Sequence, residues 1–333
     1  MRKYTKHIIF LTIFALLILG VFEVYVPYSL AQRPTLVYVA KKGFGDQGIA
    51  DELAQKGIIK SSLFFKLYLI VSGQHTKLQA GSYAVSASMS IADIVKKFAA
   101  GDVIKNNVTI IEGWNLQDIS KYFESKHLYS QEDFMISASH SAFTNFDFLK
   151  DKPATLSLEG YIFPDTYQLY SSETPEAFIN NALANFNKKL TPDLKKSIVA
   201  QHRSIFQIVT MASILEKEVR SSDDKRIVSG ILWKRIKNGM PLQVDSTVNY
   251  ITGKSDAGVL LQDTKIDSPY NTYKYLGLPL GPICNPGMDS IMAAIYPKDS
   301  PYWFYLSADG TGKTIFSKTL EEQNIAAAKY LKS

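Results

Sequence analysis

The chain has 333 residues, of which 46% are apolar, 12% are aromatic and 20% are charged. This composition excludes a disordered chain, which is poor in aromatic and aliphatic residues, and a polytopic membrane protein, which carries little charge. One cysteine excludes a disulfide framework and a cysteine-rich zinc site. The net charge of +6 is too small for a nucleic-acid footprint, so no nucleic-acid partner is expected.

Residues 8–26 form an apolar run in which Glu23 is the one charged residue. Its length matches the ~20 residues that span a hydrocarbon core as a helix. Basic residues precede the run, so the positive-inside rule predicts a cytoplasmic tail over residues 1–7 and a body outside the cytoplasm. A cleaved signal peptide is the alternative, because Ser29-Leu30-Ala31 has small residues where signal peptidase cuts.

A small βα module is predicted over residues 35–103. The patterns indicate strands at 36–39 and 81–85 and helices over 48–54 and 91–98. Ser90 followed by Asp93 forms a helix-capping pair, and Gly101 ends that helix.

Residues 104–155 are predicted to connect this module to a second globular part. A strand at 108–111 opens the segment, and a helix start follows at residues 130–133.

Residues 156–333 are predicted to form a mixed α/β domain, which makes the whole chain α+β. A helix over 205–219 is apolar nearly all round and is therefore expected to be central. Ser221 is expected to cap the next helix, and residues 302–306 and 314–316 flank Asp309-Gly310 as a hairpin.

Motifs that would indicate nucleotide binding, a serine hydrolase or a metal site are incomplete or absent from the sequence. Gly310 to Thr314 resembles the end of a P-loop, but its required first glycine falls at Ser307. No Gly-x-Ser-x-Gly elbow for a hydrolase serine is present. The five histidines lack metal-ligand spacing: His7, His75, His127, His140 and His202. No metal or cofactor is therefore expected.

Two carboxylates stand in the central apolar helix, in the sequence Glu216-Lys217-Glu218. Burial raises the pKa of a glutamate, and a carboxylic acid still protonated near neutral pH can act as a general acid. Alternatively, the helix ends here and both acids point to solvent or pair with Lys217 or Arg220. The helical wheel does not choose between Glu216 and Glu218.

Three loops combine aromatic, amide and acidic residues, a mixture that suits a sugar: 158–167, 241–247 and 268–287. Any one of them alone is more often ordinary turn structure than a site. Cys284, within the third loop, is expected to be a small buried residue rather than a nucleophile.

Taken together, the chain resembles the MltG (YceG-like) family of endolytic lytic transglycosylases. Five segments in order carry the resemblance: Glu159 to Tyr167, Met211 to Glu218, Leu242 to Val248, Ser268 to Tyr273 with Gly277-Leu278-Pro279, and Ser307 to Gly310 with Asn324. Departures are mild, since Val219 and Val244 stand where threonine is common, and Cys284 where a small or hydroxylated residue is usual.

The resemblance implies a single-pass inner-membrane protein with a LysM-like module at residues 35–103 and a YceG-like catalytic domain at 156–333. The family cleaves MurNAc-GlcNAc β-1,4 bonds within nascent peptidoglycan strands and leaves 1,6-anhydroMurNAc ends. Its catalytic acid corresponds to Glu218. The candidate substrate-binding residues are Gln243, Asn271, Asp165, Tyr167, Asp245 and Tyr270.

One acid suffices for this chemistry, because the C6 hydroxyl of the substrate replaces the water that a two-carboxylate glycosidase uses. Expected partners are the glycan strands and cell-wall synthases (penicillin-binding proteins). Two alternatives remain open at this stage: a non-catalytic glycan-binding scaffold for synthases, and a muramidase-type hydrolase with Asp165 or Asp245 as second carboxylate. Whether the LysM-like module binds glycan or acts as a spacer also stays open.

Overall fold

The computed structural model describes residues 2–41, 43–139, 143–170, 173–254, 259–308 and 311–331, with side chains from residue 6 onward. The fold is mixed α+β. Its residues divide into two compact units, Met1–Asn107 with Gln168–Glu173, and Val108–Tyr167 with Thr174–Ser333. We call them unit 1 and unit 2 and describe each by itself.

Unit 1 begins with helix α1 (Arg2–Tyr25). Within the described ranges, this is the one helix that is long and apolar enough to cross a membrane, over Lys6–Tyr25. Most of the large apolar side chains along α1 are exposed, including Phe10 and Leu17. A helix that leaves so much apolar surface uncovered fits a membrane-anchored protein.

The remainder of unit 1 is a two-stranded antiparallel sheet with three helices: β1 (Leu36–Ala40), α2 (Gly45–Gln55), α3 (Ser62–Val71), β2 (Gly81–Val85) and α4 (Ile91–Ala99). Tyr38 lies opposite Tyr83 in the sheet, and both rings stack on Phe98 at centroid distances of 5.7 and 4.1 Å. The predicted strands, helix α4 and its Ser90–Asp93 capping box are confirmed. Helix α3 lay outside the predictions.

A second ribbon pairs β3 (Lys105–Thr109) with β4 (Thr166–Tyr170), and the division between the units passes within both strands. The predicted strand at 108–111 is therefore displaced toward the amino terminus. Ile110 still donates to the carbonyl of Asp165 at 3.0 Å, but the chain then turns at Gly113, which adopts φ +81°. Glycine accommodates that left-handed conformation without strain.

Unit 2 contains most of the helices and one hairpin. Its elements are α5 (Leu116–Ser125), α6 (Gln131–Ser139), α7 (Pro175–Lys189), α8 (Pro192–Ala200), α9 (Ile205–Glu218), α10 (Ser222–Lys237), α11 (Asp245–Thr252), α12 (Met288–Ile295), β5 (Phe304–Ser307), β6 (Thr314–Ser317) and α13 (Leu320–Tyr330). Two short 3₁₀ turns lie at Asp147–Leu149 and Asp263–Lys265.

Helix α9 is the centre of unit 2. Residues 208–215 are all buried, which confirms that this helix is apolar on every side, and it packs against α8, α10, α11 and α12. A capping box between Ser204 and Gln207 starts the helix. Val219 takes an extended conformation and ends it, so Glu218 is its last helical residue.

The remaining predictions for unit 2 are confirmed in part. Ser221 caps α10 through the amide of Asp224, and Cys284 is fully buried as expected. Strands β5 and β6 pair antiparallel, with Tyr305 opposite Phe316. The predicted turn at Asp309-Gly310 falls outside the described residues.

Gly230 lies where α10 packs closely against the main chain of Lys298. A Cβ atom there would lie 2.2 Å from the main-chain oxygen of Lys298. Gly230→Ala is therefore expected to lower the free energy of unfolding by about 1–3 kcal/mol, although alanine normally favours a helix. Urea denaturation measures this difference. The control is Ser229→Ala: the buried hydroxyl of Ser229 has no hydrogen-bond partner, so its removal should leave stability unchanged or higher. Equal stability of Gly230→Ala and wild type would contradict the prediction.

Candidate active site

Glu216 is held in a buried ion pair. Its Oε1 lies 3.2 Å from Lys225 Nζ, and the two side chains are only 10% and 6% exposed. Its Oε2 accepts hydrogen bonds from the amide of Gly287 at 2.9 Å and the hydroxyl of Ser290 at 2.7 Å. With both oxygens occupied by partners from α10 and the start of α12, this carboxylate serves the packing of α9.

Glu218 lies in a different environment, at the point where three elements meet. Its carboxylate accepts a hydrogen bond at Oε1 from the amide of Ser246 at 3.3 Å and at Oε2 from the hydroxyl of Tyr305 at 3.2 Å. The hydroxyl of Ser307 donates to its main-chain oxygen at 3.2 Å. The end of α9, the start of α11 and strand β5 are thereby joined at one carboxyl group.

The pKa of Glu218 is raised above its ordinary value, chiefly because burial disfavours the charged form. Hydrogen bonds from Ser246 and Tyr305 oppose this shift, and the negative charge of Asp245 adds to it. A carboxyl group with a raised pKa keeps its proton at higher pH than a free glutamate does. This is the property that a general acid needs.

The start of α11 explains how the conjugate base is stabilised. Val244 occupies the N-cap position, and no side-chain cap bonds the first turn. The Ser246 amide is therefore available to Glu218, and the positive end of the helix dipole favours the ionised carboxylate. Burial thus favours the protonated acid, while the helix terminus stabilises the charge that forms when the proton leaves.

Asp245 and Tyr273 lie close enough to Glu218 for their charges to interact, and Arg235 in turn interacts with Tyr273. The hydroxyl of Tyr273 donates to Asp245. Arg235 is buried, and its guanidinium donates to the carbonyl oxygens of Trp303 and Leu242, each at 2.9 Å. Its charge partly offsets the burial that raises the pKa of the Tyr273 and Tyr305 hydroxyls. Both tyrosines remain neutral donors to the carboxylates.

Gln243 lies two residues before Asp245 and has an exposed side chain. Its backbone is left-handed, with φ +53°, a conformation that costs a non-glycine residue about 1–3 kcal/mol. Thr272 holds the backbone there, because its main-chain oxygen accepts from the Gln243 amide at 3.1 Å and its hydroxyl from the Val244 amide at 3.0 Å. The strained turn leaves the Gln243 side chain exposed, two residues before Asp245.

Asn271 is fully buried, unlike Gln243. Its amide donates to the carbonyl oxygens of Thr264 and Ile266, and its Oδ1 accepts from the amide of Tyr273 at 3.0 Å. These bonds fix the loop that carries Tyr273. The geometry therefore gives Asn271 a role in holding this loop.

Asp165 and Tyr167 form a separate group with α7. The amide of Asn185 donates to Asp165 at 3.0 Å and to the Tyr167 hydroxyl at 3.1 Å. This bond, more than the weak ion pair with Lys189 at 3.6 Å, lowers the pKa of Asp165. The hydrogen-bond partners of this pair are not those of Glu218.

Tyr305, Ser246, Tyr273 and Arg235 were not among the predicted site residues. Ser246 and Tyr273 do lie in two of the loops singled out from sequence, beside residues that were predicted. Tyr305 is 87 residues from Glu218, and nothing local in a strand sequence signals such a contact. Arg235 resembles an ordinary basic residue in the last turn of a helix.

A cleft of about 690 Å³ lies at the end of α9 opposite Glu218, lined by Arg203, Phe206 and Gln207 among others. Within the described ranges, no three His, Cys, Asp or Glu side chains are grouped so that they could hold a metal ion.

Comparison with known proteins places the chain among relatives along almost its whole length. The model of the YceG-like family matches residues 38–329. The chain belongs to the YceG-like family.

The relatives of this YceG-like chain include curated enzymes. It is 32% identical to the endolytic murein transglycosylase of Bacillus subtilis over 92% of this chain and 88% of that protein. It is 30% identical to the endolytic murein transglycosylase of Streptococcus pneumoniae D39 over 88% of this chain, which spans 58% of that longer protein. The crystal structure of a YceG-like protein from Listeria monocytogenes is 30% identical, with a TM-score of 0.60 over 88% of this chain and 99% of that one.

Tyr305→Phe tests the hydrogen bond to Glu218. Because the Tyr305 hydroxyl lowers the pKa of Glu218, its removal should raise that pKa further. Titration of ¹³C-labelled glutamate carboxyl groups by NMR measures the shift. Since a raised folded-state pKa gives stability that is lost as pH rises through it, that loss should extend to higher pH in Tyr305→Phe than in wild type.

The matched control is Tyr302→Phe, a neighbouring tyrosine that stacks on Phe316 with ring centroids 5.3 Å apart. It should leave the titration of Glu218 unchanged. An unchanged Glu218 pKa in Tyr305→Phe would show that the hydroxyl does not act on the carboxylate.

Proposed function

We propose that this protein is an endolytic murein transglycosylase, a lyase that cleaves MurNAc-GlcNAc β-1,4 bonds within peptidoglycan strands and leaves 1,6-anhydroMurNAc ends. The names of its relatives in the YceG-like family support this activity. The observation that supports the mechanism is the difference between the partners of the two acids of α9: Glu216 is held in an ion pair with Lys225, and Glu218 accepts from neutral donors and has a raised pKa.

Glu218 acts first as the acid. Its proton passes to the glycosidic oxygen as the bond from that oxygen to C1 of MurNAc breaks, and positive charge develops on the sugar ring. The C6 hydroxyl of the same MurNAc then attacks C1, and the Glu218 carboxylate takes the hydroxyl proton. The acid is regenerated, no water is consumed, and the product carries an intramolecular 1,6-anhydro bridge.

The neighbours of Glu218 have complementary parts in this scheme. The Ser246 amide and the Tyr305 hydroxyl stabilise the carboxylate between the two proton transfers. Asp245, whose negative charge acts on Glu218, is placed to offset the positive charge of the transition state. The exposed side chain of Gln243 is positioned to bind the sugar hydroxyls or the N-acetyl group.

The other predicted residues support this arrangement from further away. Tyr270 packs its ring on Tyr250 and remains partly exposed, so it is proposed as a sugar-contacting ring. Asn271 is proposed to hold the loop that carries Tyr273. Asp165 and Tyr167 are proposed to fix β4 against α7.

Hydrolysis is the second candidate, and the nearness of Asp245 to Glu218 is the observation that favours it. Asp245 would then activate a water or form a covalent intermediate, as the second carboxylate of a glycosidase does. Hydrolysis produces reducing ends that are one water heavier than anhydro ends. Mass spectrometry of the products therefore separates the two reactions.

Glu218→Gln is expected to abolish the formation of anhydro ends, because the amide has no proton of comparable acidity to give. Purified full-length protein is incubated with un-crosslinked glycan strands, and the muropeptides are analysed by mass spectrometry. The loss should be at least ~10²-fold, the lower range of general-acid contributions.

Glu216→Gln is the matched control on the same helix. It should lower the melting temperature, because Lys225 loses its buried partner, yet keep producing anhydro ends. Persistence of anhydro products at the wild-type rate in Glu218→Gln would refute the assignment of the acid.

We further propose that α1 anchors the protein in the cytoplasmic membrane, with residues 1–7 in the cytoplasm and the residues that follow α1 outside it. The exposed apolar surface of α1 supports the anchoring, and the basic residues before its apolar run, Arg2, Lys3 and Lys6, support this orientation. Residues 35–103 are proposed as a LysM-like module beside the anchor. The partners proposed are cell-wall synthases of the penicillin-binding protein class, which supply nascent strands.

Protease treatment of protoplasts tests the orientation. External protease should remove a carboxyl-terminal tag and leave an amino-terminal tag protected until the membrane is lysed. A cytoplasmic protein serves as the control for leakage. Protection of the carboxyl-terminal tag in intact protoplasts would exclude the proposed orientation.

A further inference from the structure

Glu159 is a buried carboxyl group outside the residues that surround Glu218, and only 5% of its surface is exposed. Its Oε2 accepts from the amide of Leu116 at 3.0 Å and from the hydroxyl of Tyr250 at 3.4 Å. Its Oε1 accepts from the side-chain amide of Asn285 at 3.3 Å. Three separate segments of unit 2 therefore converge on one side chain.

Tyr250 connects Glu159 to the helix that holds the acid. It lies four residues after Ser246 on α11, so the two residues share a helix face. Anchoring the Tyr250 hydroxyl fixes the rotation and axial position of α11. The direction of the Ser246 amide toward Glu218 depends on both.

Asn285 connects Glu159 to the helix that carries the acid. The two residues before Asn285 are hydrogen-bonded to α9. The Ile283 amide donates to the Ser213 hydroxyl at 3.0 Å, and the Cys284 thiol donates to the Ser213 carbonyl at 3.3 Å. Ser213 is five residues before Glu218 on α9. Glu159 thus ties a segment fixed on α9 to a residue of α11.

A further connection runs through the aromatic rings. Tyr250 packs against Tyr270, with ring centroids 5.0 Å apart. Tyr273 follows three residues after Tyr270, and its hydroxyl donates to Asp245. The placement of Asp245 is therefore also connected to Tyr250.

We propose that Glu159 is a positioning residue that sets the separation between Glu218 and the Ser246 amide by tying α11 to the segment fixed on α9. This inference rests on the proposed function of Glu218 as the general acid. Glu159 itself is buried and touches no substrate.

The Glu159 pocket combines burial, which opposes ionisation of the carboxyl group, with donors that favour its charged form. Burial raises its pKa to about 8, the Leu116 and Gly160 amides and the Tyr250 hydroxyl oppose the shift, and the charge of Asp118 adds to it. Cys284 and Tyr270 are the other titratable groups that face it. Because the folded-state pKa is raised, the stability it gives is full below the ordinary pKa of ~4.3 and is lost as pH rises through about 8.

Glu159→Gln is the first test variant. The NH2 group of glutamine replaces one carboxyl oxygen and cannot accept a hydrogen bond, which the oxygen of even a protonated carboxyl group can. Either the Leu116 amide or the Asn285 amide therefore loses its acceptor, and α11 loosens. On un-crosslinked glycan strands, kcat for anhydro-end formation should fall about ten-fold while KM changes less than about two-fold. The high-pH limb of the kcat profile should move to higher pH, because Glu218 loses the Ser246 donor that lowers its pKa.

Tyr250→Phe removes the hydroxyl through which Glu159 holds α11. It should reproduce the shifted pH limb. The double variant Glu159→Gln/Tyr250→Phe should be no worse than the stronger single variant, because both changes break the same connection. Additive losses would show that Glu159 does not act through Tyr250.

Leu183→Ala is the control for destabilisation alone. Leu183 is fully buried in α7, so its truncation lowers stability without touching the connection from Glu159 to α11. Its kcat per folded molecule and its pH limb should match the wild type. A Glu159→Gln variant that behaves like Leu183→Ala would overturn the inference. Absence of anhydro ends from the wild-type protein would instead refute the proposed function, so the two failures are distinct.

Discussion

The hydrogen bond from the Ser246 amide to the Glu218 carboxylate is the contact on which the site depends. It joins the last residue of α9 to the first turn of α11, and it supplies the cap that Val244 cannot provide. The distance between the Ser246 amide and the Glu218 carboxylate also depends on the other contacts that hold α9 and α11. Helix α9 is buried against α8, α10 and α12, and α11 is fixed by Thr272 at its start and by Glu159 through Tyr250. The packing of α9 and α11 within unit 2 thus fixes the position of the Glu218 carboxyl group.

Two carboxylates two positions apart on α9 illustrate how the environment of a side chain decides its chemistry. Glu216 faces Lys225, Gly287 and Ser290, which satisfy its charge and make it part of the packing. Glu218 accepts hydrogen bonds from the first turn of α11 and from a tyrosine hydroxyl. A buried ion pair binds its acid firmly, whereas a partly desolvated carboxyl group with two neutral donors can both release and recover a proton.

Local sequence predicted the fold where local physics dominates. The capping box at Ser90, the all-round apolar α9 and the β5–β6 hairpin appear as expected. Helices α7 and α8 lay outside the predictions, although each begins with threonine followed by proline, a strong helix-start signal. Strand β3 was displaced because its end is set by pairing with β4, some sixty residues away in sequence, and not by its own residues.

By itself, the sequence determined the apolar span at the amino terminus, the central helix with its two acids and the membership in the YceG-like family. These features follow from composition, periodicity and motifs that adjacent residues carry. Only the tertiary structure showed which acid is ion-paired and which accepts from neutral donors, because Lys225 and Tyr305 come from other elements. It also separated the exposed Gln243 from the buried Asn271 and brought Glu159 into connection with α11. Burial and hydrogen bonding between distant segments fix the pKa of a carboxyl group, and neither is encoded in its own neighbours along the chain.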